Sequence, residues 1–354
     1  MLISVRAPVG ALNIADQEIG IGRGVSAIRA GLAVDERFLF YAVQSSITLL
    51  RSWATGTTYE AVTAEDLGAI PVPVRASLDE ERRIADFLDD QVTRIDNIIA
   101  ARRAQADRLA EASRAAVSGA VRGEGMGEMR PSMIPWAPCI PIGWRDPRIA
   151  QVAMTGTGHT PSRSVNKYWQ NCDIPWLTTA DVHKFRKDQI DVLPDTVFKI
   201  SALGLAHSSA VLHEAQTVAL SRTASAGFSI ILDRPAATSQ DYITWTCGPL
   251  LRPVYLLWCL RTMRADIMGR LAIGSTHKTI YFPDALSIRI PLPTVPEQIE
   301  IEAKLVAALD AERVVGQRLG EIVTKLEEMK RSLITSAVTG NFDVSTADGS
   351  RVPV

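Results

Sequence analysis

Two stretches of the chain repeat apolar side chains in steps of three and four. In the first, Ile84, Leu88, Val92, Ile95, Ile99, Ala106, Leu109, Ala116 and Ala120 share one stripe. In the second, Ile301, Leu305, Leu309, Val315, Leu319, Ile322, Leu326, Met329, Leu333 and Ala337 do the same. Residues three and four apart lie on one helix face, so the spacing predicts two amphipathic helices, 79–123 and 296–340. Each begins after a proline-containing stretch that cannot be helical and ends at a glycine, Gly123 or Gly340, suited to a C-terminal cap. At 1.5 Å per residue each is a rod of roughly 65 Å. A narrow, heptad-like stripe needs a partner along its length, and each rod is the obvious partner of the other. Two unrelated helices lying on separate globular domains are the alternative.

The rods belong to a repeat with a period near 217. Ile70-Pro71-Val72-Pro73 recurs as Ile290-Pro291-Leu292-Pro293, and from Asp79 and Pro296 onward the segments align without a gap, Ile84 on Ile301, Leu88 on Leu305, Val121 on Val338 and Gly123 on Gly340. Before the second rod, residues 144–289 hold short alternating runs (217–221, 228–232, 242–246) and one helix-like stretch, 253–271, which predicts an α+β domain. Before the first rod, residues 1–69 match only the back half of that block. Ser4-Val5-Arg6 then Gly10 echoes Leu220-Ser221-Arg222 then Gly227, and 35–53 is helix-like where 253–271 is. Gly56-Thr57-Thr58 echoes Gly274-Ser275-Thr276, and 64–67 echoes 282–286. The order is therefore a half domain (1–78), a long helix (79–123), a proline-rich extended linker (124–143), a whole domain (144–295), a second long helix (296–340) and a tail (341–354). The fold class is α+β, with the two long helices as an antiparallel coiled coil.

Composition narrows the class. The 354 residues suffice for about two domains. With 38 basic and 39 acidic side chains the net charge is -1, which excludes coating nucleic acid by bulk charge. Residues 144–289 nevertheless hold 16 basic and 11 acidic side chains, whereas both rods and residues 1–69 are net acidic. A +5 domain can gather its charge on one face, as phosphate contact requires, or spread it over a solvated mixed surface. The longest apolar stretches, such as 249–260 with Arg252 inside, fall short of the ~20 residues a membrane helix needs. No apolar leader opens the chain, so a cytoplasmic location is expected. Four cysteines without a C-x-x-C pair read as buried free thiols.

Catalytic patterns are missing. Gly156-Thr157-Gly158-His159-Thr160 lacks the Lys-Ser/Thr of a phosphate loop, Gly20-Ile21-Gly22-Arg23-Gly24 reads as a turn, and the histidines lack metal-ligand spacing. Asp173-Ile174-Pro175-Trp176 faintly resembles the loop with which amino-methyltransferases hold a flipped base, but it lacks the second proline, and no cofactor loop lies upstream. No G-x-S-x-G elbow is present. The expectation is a non-enzyme with no cofactor and no metal.

The ordered set of motifs resembles the DNA-specificity (S) subunits of type I restriction-modification enzymes over nearly the whole chain. The pieces are Pro141-Ile142-Gly143-Trp144, Gly158-His159-Thr160-Pro161-Ser162 with Tyr168-Trp169, Asp173-Ile174-Pro175-Trp176-Leu177, Leu220-Ser221-Arg222 with Gly227, Gly274-Ser275-Thr276, and Pro296-Glu297-Gln298. The resemblance implies two target-recognition domains, each reading half of a split site in double-stranded DNA, held apart by the helices. It implies docking of two methyltransferase (M) subunits and, through them, nuclease/translocase (R) subunits. Matching loop positions give the candidate DNA-contacting residues Thr160, Ser162, Arg163, Thr178, Thr179, Lys184, Arg222, Ser239, Gln240, Ser275, Thr276, His277 and Lys278. Trp176 reads as core rather than as a base wedge. An intact member would have roughly 75 further residues before Met1, so the first recognition domain is expected to lack its front half, by truncation, a misplaced start or complementation by another chain. Rival readings are a stand-alone adenine methyltransferase, disfavoured by the missing cofactor loop, and a coiled-coil scaffold without DNA, which leaves the +5 domain unexplained.

Overall fold

The computed structural model describes residues 1–55, 60–73, 75–274 and 278–344. They form two compact units. Unit 1 comprises Met1–Leu109 with the chain from Val314, and unit 2 comprises Ala110–Arg313.

Unit 1 opens with three short strands, β1 (Leu2–Ser4), β2 (Leu12–Asn13) and β3 (Val25–Ala27), in the antiparallel order β2-β1-β3. Three helices follow, α1 (Glu36–Ser45), α2 (Ile47–Trp53) and α3 (Ala64–Gly68), before the long helix α4 (Leu78–Arg122). The Asp35 carboxylate caps α1 by accepting the amides of Arg37 and Phe38. Ile3, Leu39, Val43 and Leu50 fill the space between sheet and helices. On the other face of α1, Phe38, Tyr41 and Ala42 pack with Ile84, Ala85 and Leu88 of α4 and with Leu333, Ile334, Ala337 and Val338. Lys330 reaches Asp96 at 2.5 Å, Arg103 reaches Glu327 at 2.7 Å, and Arg75 donates to the Val338 carbonyl. As one sequence rises the other falls, so the two helical segments of this unit run antiparallel.

Unit 2 opens with a hairpin, β4 (Met129–Ile134) and β5 (Ala137–Pro141), within the stretch expected to be an extended linker. Ile134, Ala137 and Ile140 are buried in the unit's main core, and prolines are tolerated because the hairpin is all edge. Next come β6 (Ala153–Thr157), β7 (Ile174–Leu177), α5 (Val182–Phe185), β8 (Val192–Leu193), β9 (Phe198–Ile200), α6 (Ala202–Ala206) and β10 (Leu212–His213). The back half follows with β11 (Val218–Ser221), β12 (Ser229–Leu232), β13 (Ala236–Thr238), β14 (Tyr242–Cys247), α7 (Pro253–Thr262), α8 (Arg264–Asp266), β15 (Ala272–Ile273), β16 (Thr279–Ile280), α9 (Phe282–Leu286) and the long helix α10 (Val295–Thr339). One sheet is ordered β6-β14-β11-β12-β8 and a second β10-β13-β7-β9. The helix expected over 253–271 breaks instead at Met263, and residues Ile267–Leu271 form a π-helical turn. Tyr255, deep in the core, donates to the carbonyls of Val121 (3.3 Å) and Pro291 (3.0 Å), tying α7 to the end of α4 and to the approach to α10.

The repeat is residue-exact in the strands. Leu2 pairs with Asn13 as Ala219 pairs with Ile230, and Ser4 pairs with Val25 as Ser221 pairs with Tyr242, each at an offset of 217. This corrects the sequence alignment by one position. Gly10 N donates to Ser4 O at 2.8 Å, and Gly227 N to Ser221 O at 2.8 Å. Ser4 therefore corresponds to Ser221, and Val5, not Arg6, corresponds to Arg222. A one-residue slip along a strand moves a side chain to the opposite face, so the first copy has no counterpart of Arg222.

The helical stripes also drift. Val315 and Ile322 are exposed where the spacing places them in the seam, while Leu319 stays buried; near the end of α4, Val117 and Val121 are buried and Ala116 is exposed. A 3.6-residue turn does not hold a 3.5-residue repeat over 45 positions. The cysteines are free thiols, but only Cys259 is fully buried; Cys139 is exposed on β5.

Candidate nucleic-acid interface

The ends of several strands of unit 2 meet at one edge, and a glycine makes the meeting possible. A Cβ at Gly158 would lie 1.7 Å from the Thr238 carbonyl oxygen, so no other residue fits directly after β6. His159 N donates to that carbonyl at 3.0 Å. The loop beginning at 159 is thereby seated over the connection from β13 to β14, where the Thr160 hydroxyl donates to Gln240 Oε1 at 2.7 Å. From β7, Leu177 accepts Ser239 N at 2.9 Å and Thr178 O accepts the Tyr242 hydroxyl at 2.9 Å. Burial, with Asp181 and Asp241 nearby, raises the Tyr242 pKa, so this phenol remains a donor.

Asp241 ties the other side of the edge. Its carboxylate accepts the hydroxyls of Thr223 and Ser239, the latter at 3.0 Å, and its carbonyl accepts Arg222 N at 2.8 Å. Ile280 N donates to Arg222 O at 2.9 Å, which adds β16 and the neighbouring Lys278 to the group. Arg264 supports the turn from below: its Nε donates to Gly227 O at 2.8 Å and its guanidinium stacks 4.7 Å over Phe228.

The candidate residues divide accordingly. Thr160, Thr178, Thr179, Arg222, Ser239 and Gln240 are brought together, with Ser162 and Arg163 continuing the Thr160 loop and Lys278 directly ahead of β16. Arg163 and Gln240 are exposed, and the half-buried Arg222 has an Nε without a hydrogen-bond partner. Ser162 pairs with Ser164 at 2.8 Å, and the Lys278 ammonium rests on the Met268 carbonyl at 3.3 Å. Thr178 and Ser239, expected to touch DNA, are 7% and 2% exposed, and their polar atoms serve the loop geometry. Lys184, expected in the same role, offsets a buried charge: its ammonium lies 3.2 Å from the fully buried Asp181 and 2.9 Å from Asp195 O. Ser275, Thr276 and His277 lie outside the described residues. Trp176 is core, edge-on to Trp169 at 5.5 Å.

Asp241 and the close approach of Gly158 to Thr238 were not singled out from sequence as site-building. The signal for Asp241 was present in Ser239-Gln240-Asp241, a hydroxyl two residues ahead of an amide it can accept; that bond forms at 3.3 Å. Part of the basic excess is also consumed inside the fold. Arg261 reaches Asp191 at 2.5 Å and Asp188 at 3.3 Å, and Arg264 reaches Asp188 at 2.6 Å, so neither contributes a free surface charge. Among the described residues no helix is long and apolar enough to cross a membrane.

Residues 141–315 match the family described as the type I restriction modification DNA specificity domain. The type I restriction enzyme MjaIX specificity subunit of Methanocaldococcus jannaschii is 26% identical over 168 residues, 47% of this chain and 38% of that protein. The matched stretches span less than two fifths of the curated relatives' own length. Among solved structures, a chain from work on complex assembly and conformational transition of a type I R-M system superposes with a TM-score of 0.73 at 20% identity, covering 96% of this chain and 82% of that one. The HsdS subunit of Thermoanaerobacter tengcongensis gives 0.54 at 19% identity, covering 86% and 70%. At these identities the structures speak for the fold alone, and they have the same one as unit 2 and the long helices require. The matched specificity domain spans the part of the chain that builds the candidate edge, so it is residues 141–315 that carry the likeness to type I restriction-modification specificity subunits.

Proposed function

We propose that this chain is a non-catalytic specificity subunit whose unit 2 reads one half of a bipartite site in double-stranded DNA. One observation carries the reading: inside the matched specificity domain, Gly158, Asp241 and Ile280 bring Thr160, Gln240 and Arg222 to a single edge of the sheet. Gln240 has the amide for a base edge, whereas Arg163, Arg222 and Lys278 have the charge for phosphate. The DNA substrate, two methyltransferase subunits and, through them, nuclease/translocase subunits are the partners that the family relationship supports. Methyl transfer and cleavage then belong to those subunits, in the cytoplasm.

The test is DNA binding by the full chain with its methyltransferase partner, for Gln240→Ala and Arg222→Ala. Gln240→Ala is expected to cost ~1–3 kcal/mol and to relax preference at one base pair. Arg222→Ala is expected to weaken binding on all sequences and to lower the slope of log affinity against log salt by about 1. Binding that is indifferent to both changes overturns the reading, and methyl transfer by the isolated chain overturns the non-catalytic assignment.

A further inference from the structure

The sheet of unit 1 is three strands wide, and among the described residues nothing pairs with its outer strands β2 and β3. Its counterpart in unit 2, β12-β11-β14, is flanked on both sides. There β8 runs parallel to β12 and β6 runs antiparallel to β14. Both flanking strands come from residues 144–216, the block without a first copy in the sequence.

Individual side chains show the same gap. Ile14, Ile19 and Ile21 of unit 1 are 48%, 56% and 44% exposed. They stand 217 positions before Ile231, Ala236 and Thr238, which are 0%, 3% and 0% exposed. In unit 2 those three pair with Val192, His213 and Leu177, one residue on each of β8, β10 and β7. Isoleucines beside open strand edges are a combination that folded proteins avoid unless something covers it.

We propose that this part of unit 1 is an interaction surface for a polypeptide resembling residues 144–216 of this chain. The partner adds one strand parallel to β2 and one antiparallel to β3, and it covers Ile14, Ile19 and Ile21. Main-chain hydrogen bonds supply the affinity, as in other strand additions, and the apolar positions set the register. The inference rests on the internal repeat and stands whether or not unit 2 reads DNA. Its consequence for recognition is that specificity at unit 1 is set by whichever front half occupies the surface.

Backbone hydrogen exchange tests it. In the full chain alone, amides of 12–15 and 19–27 are expected to exchange at least roughly tenfold faster than those of 229–232 and 236–244. The same measurement is made on a chain with residues 144–217 duplicated directly ahead of Met1, His213→Ala in the added block making room for Ile19 where unit 2 has Ala236. Exchange over 12–15 and 19–27 is expected to slow about tenfold, and Ile19→Asp with Ile21→Asp is expected to abolish that gain while α1 and unit 2 stay protected. Equally slow exchange in the monomeric chain alone overturns the proposal, because the surface is then closed already. Slow exchange in a dimer also overturns it, assigning the surface to a second copy. Should the duplicated chain fail to fold, the same block is added as a separate polypeptide; unchanged exchange in either format overturns the proposal.

Discussion

His213 lies on β10 with Thr238 Oγ1 3.5 Å from one ring nitrogen and Thr244 Oγ1 3.4 Å from the other. Burial lowers its pKa, because hydroxyls can solvate a neutral imidazole but not offset an imidazolium. The folded state therefore binds this proton less readily than the unfolded state does. The stability it contributes is complete above about pH 6.5 and is lost as the pH falls below that value. Urea unfolding of unit 2 at pH 7.5 and pH 5.5 should show a larger loss for the wild type than for His213→Gln; equal losses would assign the pH dependence elsewhere. Gly158 is the second position where one atom decides. Gly158→Ala must push the Thr238 carbonyl away, which is expected to cost at least ~2 kcal/mol in unfolding experiments. Loop residues such as Thr160, Arg222 and Gln240 were legible in the sequence, because polar side chains between alternating runs can only be turns or edges. The burial of Ser239 and the pairing of Lys184 with Asp181 were not, since both depend on which strands lie side by side.

The long helices were the most legible elements, because 45 residues of three-and-four spacing admit no other reading. The hairpin of β4 and β5 was hidden by its prolines, and β13, Ala236-Ala237-Thr238, has too bland a pattern to declare a strand before its parallel partner β7 is known. Register was illegible for a related reason: the matching of Val5 to Arg222 shows only in which amides meet which carbonyls. The helix ends give a sharper comparison. Gly123 and Gly340 both have positive φ, +74° and +80°, where a side chain costs about 1–2 kcal/mol. A Cβ at Gly123 also meets the Pro141 ring at 2.5 Å and the Trp144 ring at 2.8 Å, neither of which can move freely, whereas at Gly340 it meets the far end of the Arg75 side chain. Thermal unfolding should accordingly show Gly123→Ala as the more damaging, by a further ~1–3 kcal/mol from overpacking. Equal effects would mean that the cap conformation alone matters.

Unit 1 is built from two separate stretches of chain and unit 2 from one that starts inside the first long helix and ends inside the second, and this follows from the repeat. Each sheet-bearing half is followed by a long helix whose beginning packs on its own short helix, α4 on α1 and α10 on α7. The end of each long helix completes the other core: Val117 and Val121 of α4 lie with Tyr255, Ile301 and Leu305 in unit 2, and Leu333, Ile334, Ala337 and Val338 of α10 lie with Phe38, Ile84 and Leu88 in unit 1. A chain ending after Arg313 therefore loses Leu319 and, from the core around Phe38 and Leu88, four further buried apolar side chains of unit 1, and none from unit 2. Trimming a single buried Leu or Ile to Ala costs about 2–5 kcal/mol, so removing them all approaches the whole ~5–15 kcal/mol stability of an ordinary domain. In the shortened chain, amides of α1 and of residues 84–99 should lose their exchange protection while those of β11, β14 and α7 keep theirs. Protection of α1 that survives the truncation would show that unit 1 holds its core without the second rod, and the exchange of helix ends would then be incidental to stability.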